Sequence, residues 1–476
     1  MTEGKADLLL RGGPVFLGLE QGFAEALAIR GERVLAMGSR ADLEGLVGPG
    51  TRVVELNGRA ALPGFNDAHQ HMLLFGLELT EVALQPSEVR TLAALQARIK
   101  ARAEAEAPGE WVIGRRYDHF HLDIGRHPTA AELDAVAPDN PVWITRTCGH
   151  MGVANSRALA LAGIDAATPD PPGGVIERRD GVLTGRLFEN AQDLVKRVLP
   201  RHGRAAMVEA LERAGRLFLS HGITSVMDAG VGLRQKFEDY LAYREARDQG
   251  RLPVRVYLSF TGGPGGIQPQ AFEQGLVTGA GDEALKAGSV KLFADGSAGG
   301  KTAAMTLPYI CSCGERGLFI YGDAELDAWV EGYQAQGYQI SIHAIGDAAI
   351  GQALAALEKA MAAHPAADRR HRIEHCGFTT PEQIAAMGRL GVIPAPQPIF
   401  LYEFGDLYVD VLGEERPAAS YPMRSWIDAG LRPIASSDTP VSDFDPMKNL
   451  YEMVTRRTSG GRVLGPGEVI TLPEAV

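Results

Sequence analysis

The chain has 476 residues, of which 45% are hydrophobic and 22% are charged, and its formal net charge is −12. This length exceeds one compact core and favours two domains, or one barrel with additions. The negative balance argues against a nucleic-acid partner, whose phosphates require clustered Lys and Arg. The sequence shows no apolar run near the ~20 residues of a membrane span, and its start, MTEGKADLLLRGG, lacks the apolar core of a signal peptide. We therefore expect a cytoplasmic protein without a membrane partner.

The four cysteines are too sparse for a disulfide framework at this length. Cys311 and Cys313, separated by one serine, could bind metal, form a strained bridge or remain free thiols. Free thiols are favoured because no second cysteine pair completes a zinc set.

The first 60 residues contain short β-like segments at 7–17, 25–38 and 51–62, separated by glycine and charged turns. Such a pattern indicates a small β domain. We expect residues 1–60 to form the N-terminal part of a small β-sandwich domain.

From residue 61 onward, apolar β-rich runs alternate with long helical stretches. The runs lie at 62–71, 223–230, 254–260, 289–296, 338–347, 372–376, 391–400 and 432–438. Eight strands that alternate with helices predict an α/β fold, a (β/α)8 TIM-like barrel over residues 61–476. In such barrels the chemistry lies at the carboxyl ends of the strands.

The interval 77–205 is too long for one β/α unit and contains β-like pieces of its own, EWVIGRRYDHF and NPVWITRTCGHMGVANS. We interpret it as an insertion after the first barrel strand that forms a cap subdomain over the mouth. A cap of this kind predicts an enclosed pocket, suited to a small or medium organic substrate rather than a polymer.

Two histidines one residue apart, His69 and His71, end the first of these runs. Alternate side chains of a strand share a face, so both imidazoles can reach one ion, and imidazole is the commonest ligand of a catalytic divalent metal. An HxH motif alone is weak evidence for a metal site. The sequence contains a second one, His119 and His121, which we interpret as a chance match and not as a pair of metal ligands.

Four further residues each close a strand-like run much later in the chain: Lys291, His343, His375 and Asp438. At the carboxyl ends of barrel strands these side chains would converge with the histidine pair at one mouth. A lone histidine such as His343 is more often a buried core histidine than a ligand. His371 and His375 are four apart, as in a helical metal pair, but the β-rich RIEHC without an HExxH pattern favours a strand.

The sequence resembles the amidohydrolase superfamily, and within it the YtcJ-like amidohydrolases (amidohydrolase family 3), which include N-substituted formamide deformylases. The matching segments are LPGFNDAHQH, GHMGVANSRAL, GGVIERRDGVLTGRLFENA, GITSVMDAG, VKLFADGSAGGKTAAM, SIHAIGDAAI, RIEHC and ASSDTPVSDFDP. The resemblance implies a divalent metal cofactor, Zn with Mn or Co as alternatives. The residues that match the family's metal ligands are His69, His71, Lys291, His343, His375 and Asp438.

The resemblance also implies roles for two of these residues. Two ions bridged by hydroxide need an anionic ligand, which Lys291 would supply if its Nζ were carboxylated by carbon dioxide. As a plain amine it would pair with Asp295 or the substrate and leave one metal; both alternatives stay open. Asp438 would be the general acid/base that takes a proton from the metal-activated water and passes it to a leaving amine. The alternative for Asp438 is a carboxylate that caps a turn.

The expected activity is metal-dependent hydrolysis of a C–N bond, other than a peptide bond, in an amide, N-formyl or N-acyl compound. An ester, lactone or phosphoester hydrolase in the same site is one alternative. A non-catalytic regulatory relative is the other, and the complete ligand set counts against it.

Four residues are weaker candidates for substrate binding, each with a structural alternative: His150, Lys301, Tyr117 and Asp118. The expected partner is a small-molecule substrate, and the oligomeric state, a homo-oligomer included, stays open. Relatives carry further strands that complete the small β domain, whereas this sequence ends at ITLPEAV. We expect that domain to be completed otherwise or to be partial.

Overall fold

The structure is a computed structural model that describes residues 4–86, 88–146, 151–310 and 314–476. The chain divides into two compact units. The first comprises residues 1–71, 218–231 and 254–476, and the second comprises residues 72–217 and 232–253. Among the described residues, no helix combines the length and the apolar character that crossing a membrane requires.

The secondary structure alternates strands and helices along most of the chain. The strands are β1 (Leu8–Gly18), β2 (Gly22–Arg30), β3 (Arg33–Gly38), β4 (Arg52–Glu55), β5 (Phe65–Gln70), β6 (Val82–Ala83), β7 (Val112–Tyr117), β8 (Val142–Arg146), β9 (Met151–Ala154), β10 (Gly174–Arg179), β11 (Val182–Glu189), β12 (Ile223–Val231), β13 (Arg255–Thr261), β14 (Leu285–Phe293), β15 (Gln339–Ala344), β16 (Arg372–His375) and β17 (Ile393–Ala395). The helices are α1 (Arg40–Glu44), α2 (Met72–Glu78), α3 (Leu92–Ala105), α4 (Ala130–Asp134), α5 (Ser156–Leu161), α6 (Gln192–Lys196), α7 (Arg204–Ser220), α8 (Phe237–Asp248), α9 (Gln268–Glu273), α10 (Asp323–Ala335), α11 (Asp347–Ala363), α12 (Pro381–Leu390), α13 (Ile399–Leu412), α14 (Glu415–Ala418), α15 (Met423–Asp428), α16 (Pro446–Thr455) and α17 (Leu472–Ala475).

The first unit contains a seven-stranded sheet with the order β17-β16-β15-β14-β13-β12-β5. Every neighbouring pair is parallel, and helices connect most successive strands. Central strands such as β14 and β15 are almost wholly buried, as expected of a parallel sheet covered on both faces. The predicted α/β TIM-like barrel is thus confirmed as a nearly closed parallel sheet.

The eighth predicted strand, residues 432–438, is not a strand, although the segment lies between the first and last strands. Ile434 N donates to Pro394 O of β17 at 3.1 Å, and Asp438 N donates to His69 O of β5 at 2.7 Å. Regular pairing fails because Pro394 and Pro433 lack an N–H and because Asp438 adopts a left-handed φ of 59°. The closure of the barrel therefore rests on irregular hydrogen bonds.

A buried side-chain contact reinforces this closure. Ser437 Oγ donates to Asp67 Oδ2 at 2.5 Å, and Ser437 N donates to Asp67 Oδ1 at 3.0 Å. Burial raises the pKa of Asp67 to about 6, against the lowering effect of the bonds from Ser437. The Asp67 carboxylate on β5 thus binds residues 432–438, the segment that closes the barrel between β17 and β5.

The N-terminal residues of the same unit form a four-stranded sheet with the order β3-β2-β1-β4. One face packs Leu9, Ala26 and Ala28 against Leu43 of α1. A small β domain in this region agrees with the sequence prediction, whereas the pairing of two sheets in a sandwich stays a prediction.

The second unit is built on a six-stranded mixed sheet with the order β10-β11-β9-β8-β7-β6. The β-like pieces predicted inside 77–205 correspond to β7, β8 and β9. Trp143 is 1% exposed and packs within this unit's own core. The role of the interval as a cap stays a prediction.

Candidate metal centre

Six side chains predicted from the sequence lie together inside the first unit. His69, His375 and Asp438 each offer a ligand atom, and these atoms lie within 4.8 Å of one another. His71 Nε2 is 3.1 Å from Asp438 Oδ1, and Lys291 Nζ is 3.5 Å from His69 Nε2. The rings of His343 and His375 are 4.3 Å apart. The structure therefore brings all six predicted residues to one place at the carboxyl ends of the barrel strands.

The orientation of His69 is fixed by a buried carboxylate. His69 Nδ1 lies 2.5 Å from Glu374 Oε2, and both side chains are at most 1% exposed. Arg372 donates to both oxygens of the same carboxylate, at 2.7 and 2.8 Å. Although burial opposes ionisation, Arg372 and His69 hold the pKa of Glu374 well below its usual range. The ionised carboxylate accepts the Nδ1 proton of His69, so Nε2 presents its lone pair to the centre.

His375 is oriented by an amide in the same way. Its Nδ1 lies 2.6 Å from Gln397 Oε1, and Gln397 Nε2 donates to Ser436 Oγ at 2.9 Å. The amide oxygen accepts the Nδ1 proton and leaves Nε2 free. Burial, followed by the nearby His343, lowers the pKa of His375 well below its usual value, which favours the neutral ring that metal coordination requires.

His343 is held through its other ring nitrogen. His343 Nε2 lies 3.0 Å from Gly296 O and 3.4 Å from Asp295 Oδ1. Asp295 itself accepts backbone N–H bonds from Ala304 at 2.9 Å and from Ile345 at 3.0 Å. This carboxylate therefore fastens the loop after β14 to the end of β15, and Nδ1 of His343 remains available.

Lys291 is 1% exposed on β14. Burial lowers the pKa of its amine to about 8, against the opposing effects of Glu374 and Asp438. A larger fraction of the amine is therefore neutral near pH 7 than for an exposed lysine. The neutral form is the one that can bind a cation or react with carbon dioxide.

The donor set fits a divalent cation. Among the described residues, Asp438 Oδ1 is buried without a hydrogen bond of acceptable geometry. His69 Nε2 nevertheless lies only 3.4 Å from this oxygen. Although burial opposes ionisation, His69 and His71 hold the pKa of Asp438 well below its usual range. A carboxylate oxygen that lies 3.1 Å from His71 Nε2 and 3.4 Å from His69 Nε2 belongs to a donor set of the kind that binds a divalent metal ion.

Two positions in the centre have an unusual backbone. His375 has a φ of 67° and Asp438 a φ of 59°, both in the left-handed region. Residues other than glycine rarely adopt this conformation, and its cost is tolerated most often at functional sites.

Of the weaker candidates, Tyr117 and Asp118 belong to the second unit and Lys301 to the first. Tyr117 is buried in the second unit, where its hydroxyl donates to Met151 Sδ at 2.7 Å, and Asp118 is 3.3 Å from Arg146. Lys301 follows β14 in a loop, with a φ of 58°. Their roles in substrate binding stay predictions. His150 lies outside the described residues, as do Cys148, Cys311 and Cys313.

The alternative histidine pairs do not form a metal group within the described part of the chain. His119 lies in the second unit, where its ring is 3.8 Å from that of His127. His371 accepts a hydrogen bond from Ile340 N at 3.0 Å, and burial lowers its pKa to about 4. The strand interpretation of RIEHC is confirmed by β16.

Two residues of the centre were missed by the sequence analysis. Glu374 stands inside the RIEHC segment and Gln397 inside the seventh run, but neither was assigned a role. Metal-binding histidines usually donate their second N–H to a carboxylate or carbonyl oxygen. A search for such acceptors beside the predicted ligands would have singled out Glu374.

The comparison with protein families covers most of the chain. The model described as "Amidohydrolase family" matches residues 52–476. The chain belongs to the amidohydrolase family. The resemblance inferred from the motifs is thereby confirmed, and family membership supports a hydrolytic activity.

Curated relatives align over nearly the whole chain. Protein LONG AFTER FAR-RED 3 of Arabidopsis thaliana is 33% identical over 95% of this chain and 78% of its own length. The putative amidohydrolase YtcJ of Bacillus subtilis (strain 168) is 28% identical over 98% of this chain and 87% of its own length. An N-substituted formamide deformylase of Arthrobacter pascens is 29% identical over 95% of this chain and 84% of its own length.

A solved structure supports the fold over the same extent. An uncharacterized metal-dependent hydrolase of Pyrococcus horikoshii OT3 superposes with a TM-score of 0.80 at 25% identity, and the match covers 98% of this chain and 90% of that chain. The name of this neighbour accords with the donor set described above.

The amide that orients His375 provides a test of the centre. We expect Gln397→Leu to weaken the affinity for a divalent metal by about 10–100-fold, the usual effect of removing such a partner. Competition with a chromogenic chelator would measure the affinity. Gln268→Leu is the matched control, because Gln268 is also buried but bonds to Gln336 Oε1, at 2.5 Å. Equal affinities of the two variants would contradict the assignment.

Proposed function

We propose that the protein is a metal-dependent hydrolase that cleaves a C–N bond in a small organic amide, N-formyl or N-acyl compound. The observation that carries the proposal is the pairing of His69 Nδ1 with Glu374, since it directs His69 Nε2 toward the buried, ionised carboxylate of Asp438. Family membership supports hydrolysis, and the deformylase among the relatives supports the C–N bond. The intact donor set counts against a non-catalytic regulatory role.

The proposed ligands are His69, His71, Lys291, His343, His375 and Asp438. A divalent ion held by these residues, Zn, Mn or Co, would lower the pKa of water and polarise the substrate carbonyl. Glu374 and Gln397 hold the imidazole tautomers in place. Asp438, ionised at neutral pH, accepts a proton from the attacking water at its carboxylate and donates it to the leaving nitrogen.

Residues 77–205 are proposed to act as the cap that selects the substrate, above a barrel that begins at residue 61. Selectivity in barrel enzymes commonly comes from elements that vary around a shared centre. Tyr117, Asp118, His150 and Lys301 are the residues proposed to contact the substrate. We also propose that the protein acts in the cytoplasm.

Metal removal tests the proposal directly. We expect a chelated protein to lose turnover on a panel of N-formyl and N-acyl amines, and added Zn²⁺, Mn²⁺ or Co²⁺ to restore it. Matched esters and phosphoesters on the panel separate the alternative activities. If a protein shown by elemental analysis to be metal-free keeps its rate, the proposal is wrong.

Lys291 decides between one ion and two. If its Nζ is carboxylated, a high-resolution electron-density map should show extra density that joins two ions, and elemental analysis should give two metals per chain. Lys291→Met preserves the volume of the side chain but cannot be carboxylated, so we expect at most one metal. An unmodified amine beside a single, fully occupied metal would refute the binuclear centre.

Asp438→Asn tests the proton transfer. The amide preserves the shape of the side chain but cannot accept the proton, so we expect kcat to fall by ~10²-fold or more while most of the metal is retained. Asp443→Asn is the control, because this carboxylate pairs with Lys448 instead. A near-normal kcat in Asp438→Asn would assign the general base to another residue.

A further inference from the structure

One arginine of the second unit carries a charge that no neighbouring side chain contacts. Arg234 is exposed to solvent in the loop between β12 and α8. Among the described residues, its backbone N–H donates to Asp239 Oδ2 at 3.1 Å, whereas its guanidinium makes no hydrogen bond and no ion pair. A guanidinium offers five N–H donors in a planar fork that matches the oxygens of a carboxylate or a phosphate. Arg234 therefore presents an unused fork of this kind to solvent.

The carboxylates around Arg234 are bonded to other groups. Arg115 donates to both oxygens of Glu81 and lies 3.6 Å from Glu78. Asp239 accepts from three backbone N–H groups in the loop that carries Arg234. All of these residues belong to the second unit, so the arrangement is complete within one compact body.

The surroundings of Arg234 disfavour its positive charge. Burial lowers the pKa of the guanidinium and the charge of Arg115 lowers it further, against the opposing effects of Glu81, Glu78 and Asp239. The residue is nevertheless exposed, so its guanidinium is enclosed by protein on one side and open to solvent on the other. An anion that entered from the open side would replace the lost hydration and offset the repulsion from Arg115.

A histidine lies near this guanidinium. Gln235 Nε2 donates to His202 O at 2.9 Å, which joins the loop of Arg234 to the segment before α7. Burial lowers the pKa of His202, and the charge of Arg234 lowers it further. The imidazole is therefore mostly neutral at pH 7 and offers one N–H donor.

The segments that carry this cluster leave two strands of the barrel sheet. Arg234 lies three residues after Val231, the last residue of β12, and α2, which ends at Glu78, begins directly after His71. Segments that follow the carboxyl ends of barrel strands are the usual place for small-molecule binding in such proteins. The chain's net charge of −12 disfavours a polyanion such as a nucleic acid, so the expected ligand is a small anion.

We propose that Arg234, with His202 beside it, forms a binding site for the carboxylate or phosphate group of a small molecule. The guanidinium donates two parallel N–H bonds to two oxygens of the anion, and the imidazole N–H of His202 adds a third donor. The site requires no chemical step, since no covalent bond forms or breaks in it.

Titration with two defined anions tests the site. Inorganic phosphate and butyrate are titrated by calorimetry into the metal-loaded full chain at constant ionic strength, with 1-butanol as the uncharged control. We expect the anion that binds more tightly to bind about tenfold more weakly to Arg234→Met, because a charged hydrogen-bonding partner is lost. Arg234→Lys keeps the charge without the fork and should be intermediate. Binding at the metal centre would be common to all variants, and the preferred anion identifies the ligand chemistry.

Arg213→Met is the matched control. Arg213 belongs to the same unit and is also exposed, but its guanidinium donates to Glu209 Oε1 at 2.7 Å. We expect this variant to bind both anions as the unsubstituted protein does. The melting temperature of Arg234→Met should be unchanged, since the lost guanidinium bonds to no described residue. Equal affinities of Arg234→Met and Arg213→Met, or no binding of either anion, would overturn the inference and leave Arg234 as a solvated surface cation.

Chemical modification follows Arg234 in the unsubstituted protein. Phenylglyoxal modifies accessible guanidinium groups, and mass spectrometry of the peptides reports Arg234 and Arg213 separately. We expect the tighter-binding anion to slow the modification of Arg234 severalfold and to leave that of Arg213 unchanged. Equal protection of both, or protection of neither, would overturn the inference. None of these readouts requires turnover, so a protein that hydrolyses nothing on the substrate panel would overturn the proposed function, and the titrations would still decide the anion site.

Discussion

The ion pair between Arg372 and Glu374 is the interaction on which the centre depends. Two charges buried in a barrel core cost free energy unless each is fully hydrogen-bonded. Arg372 meets this condition by donating to Ala68 O as well as to the carboxylate, and it contacts Met227 Sδ. Glu374 meets it by accepting from His69. Strands β5, β12 and β16 are thus joined through one charged network. The orientation of His69, a candidate metal ligand, therefore depends on the same contacts that stabilise the core.

The sequence predicted the barrel and the converging side chains because both follow from simple periodicities. Apolar runs closed by His, Lys or Asp indicate strand ends, and the carboxyl ends of parallel strands meet at one mouth. The histidine pair His69 and His71 follows from alternation on β5. Alternation fails on β16, however, since Glu374 and His375 are adjacent and both serve the centre. The left-handed φ of His375 turns its side chain away from the regular pattern, and no sequence period reveals such a dihedral.

The segment that carries Asp438 shows the same limit. Its apolar run predicts a strand, but Pro394 and Pro433 remove donors that a ladder needs, and the φ of Asp438 ends the extended conformation. The loss of regular pairing lets Ser437 bond to Asp67 and lets Asp438 reach the imidazoles. A straight strand would have kept these side chains on opposite faces. The irregularity that defeats the sequence prediction is therefore what assembles the site.

Charge balance links the burial of Lys291 to the number of ions. Within the described part of the centre, the charge of Glu374 is matched by Arg372, and Asp295 is bound by backbone N–H groups. Asp438 is the carboxylate that faces the imidazoles of His69 and His71. One carboxylate balances half the charge of one divalent ion, and neutral imidazoles add none. A second ion therefore requires a second anionic ligand. Burial lowers the pKa of Lys291 to about 8 and so raises the neutral fraction of the amine, the form that reacts with carbon dioxide to give an anionic carbamate. The positive charge of an ordinary lysine would repel a metal ion, whereas the burial that lowers the pKa of Lys291 is the condition under which this side chain could become a ligand.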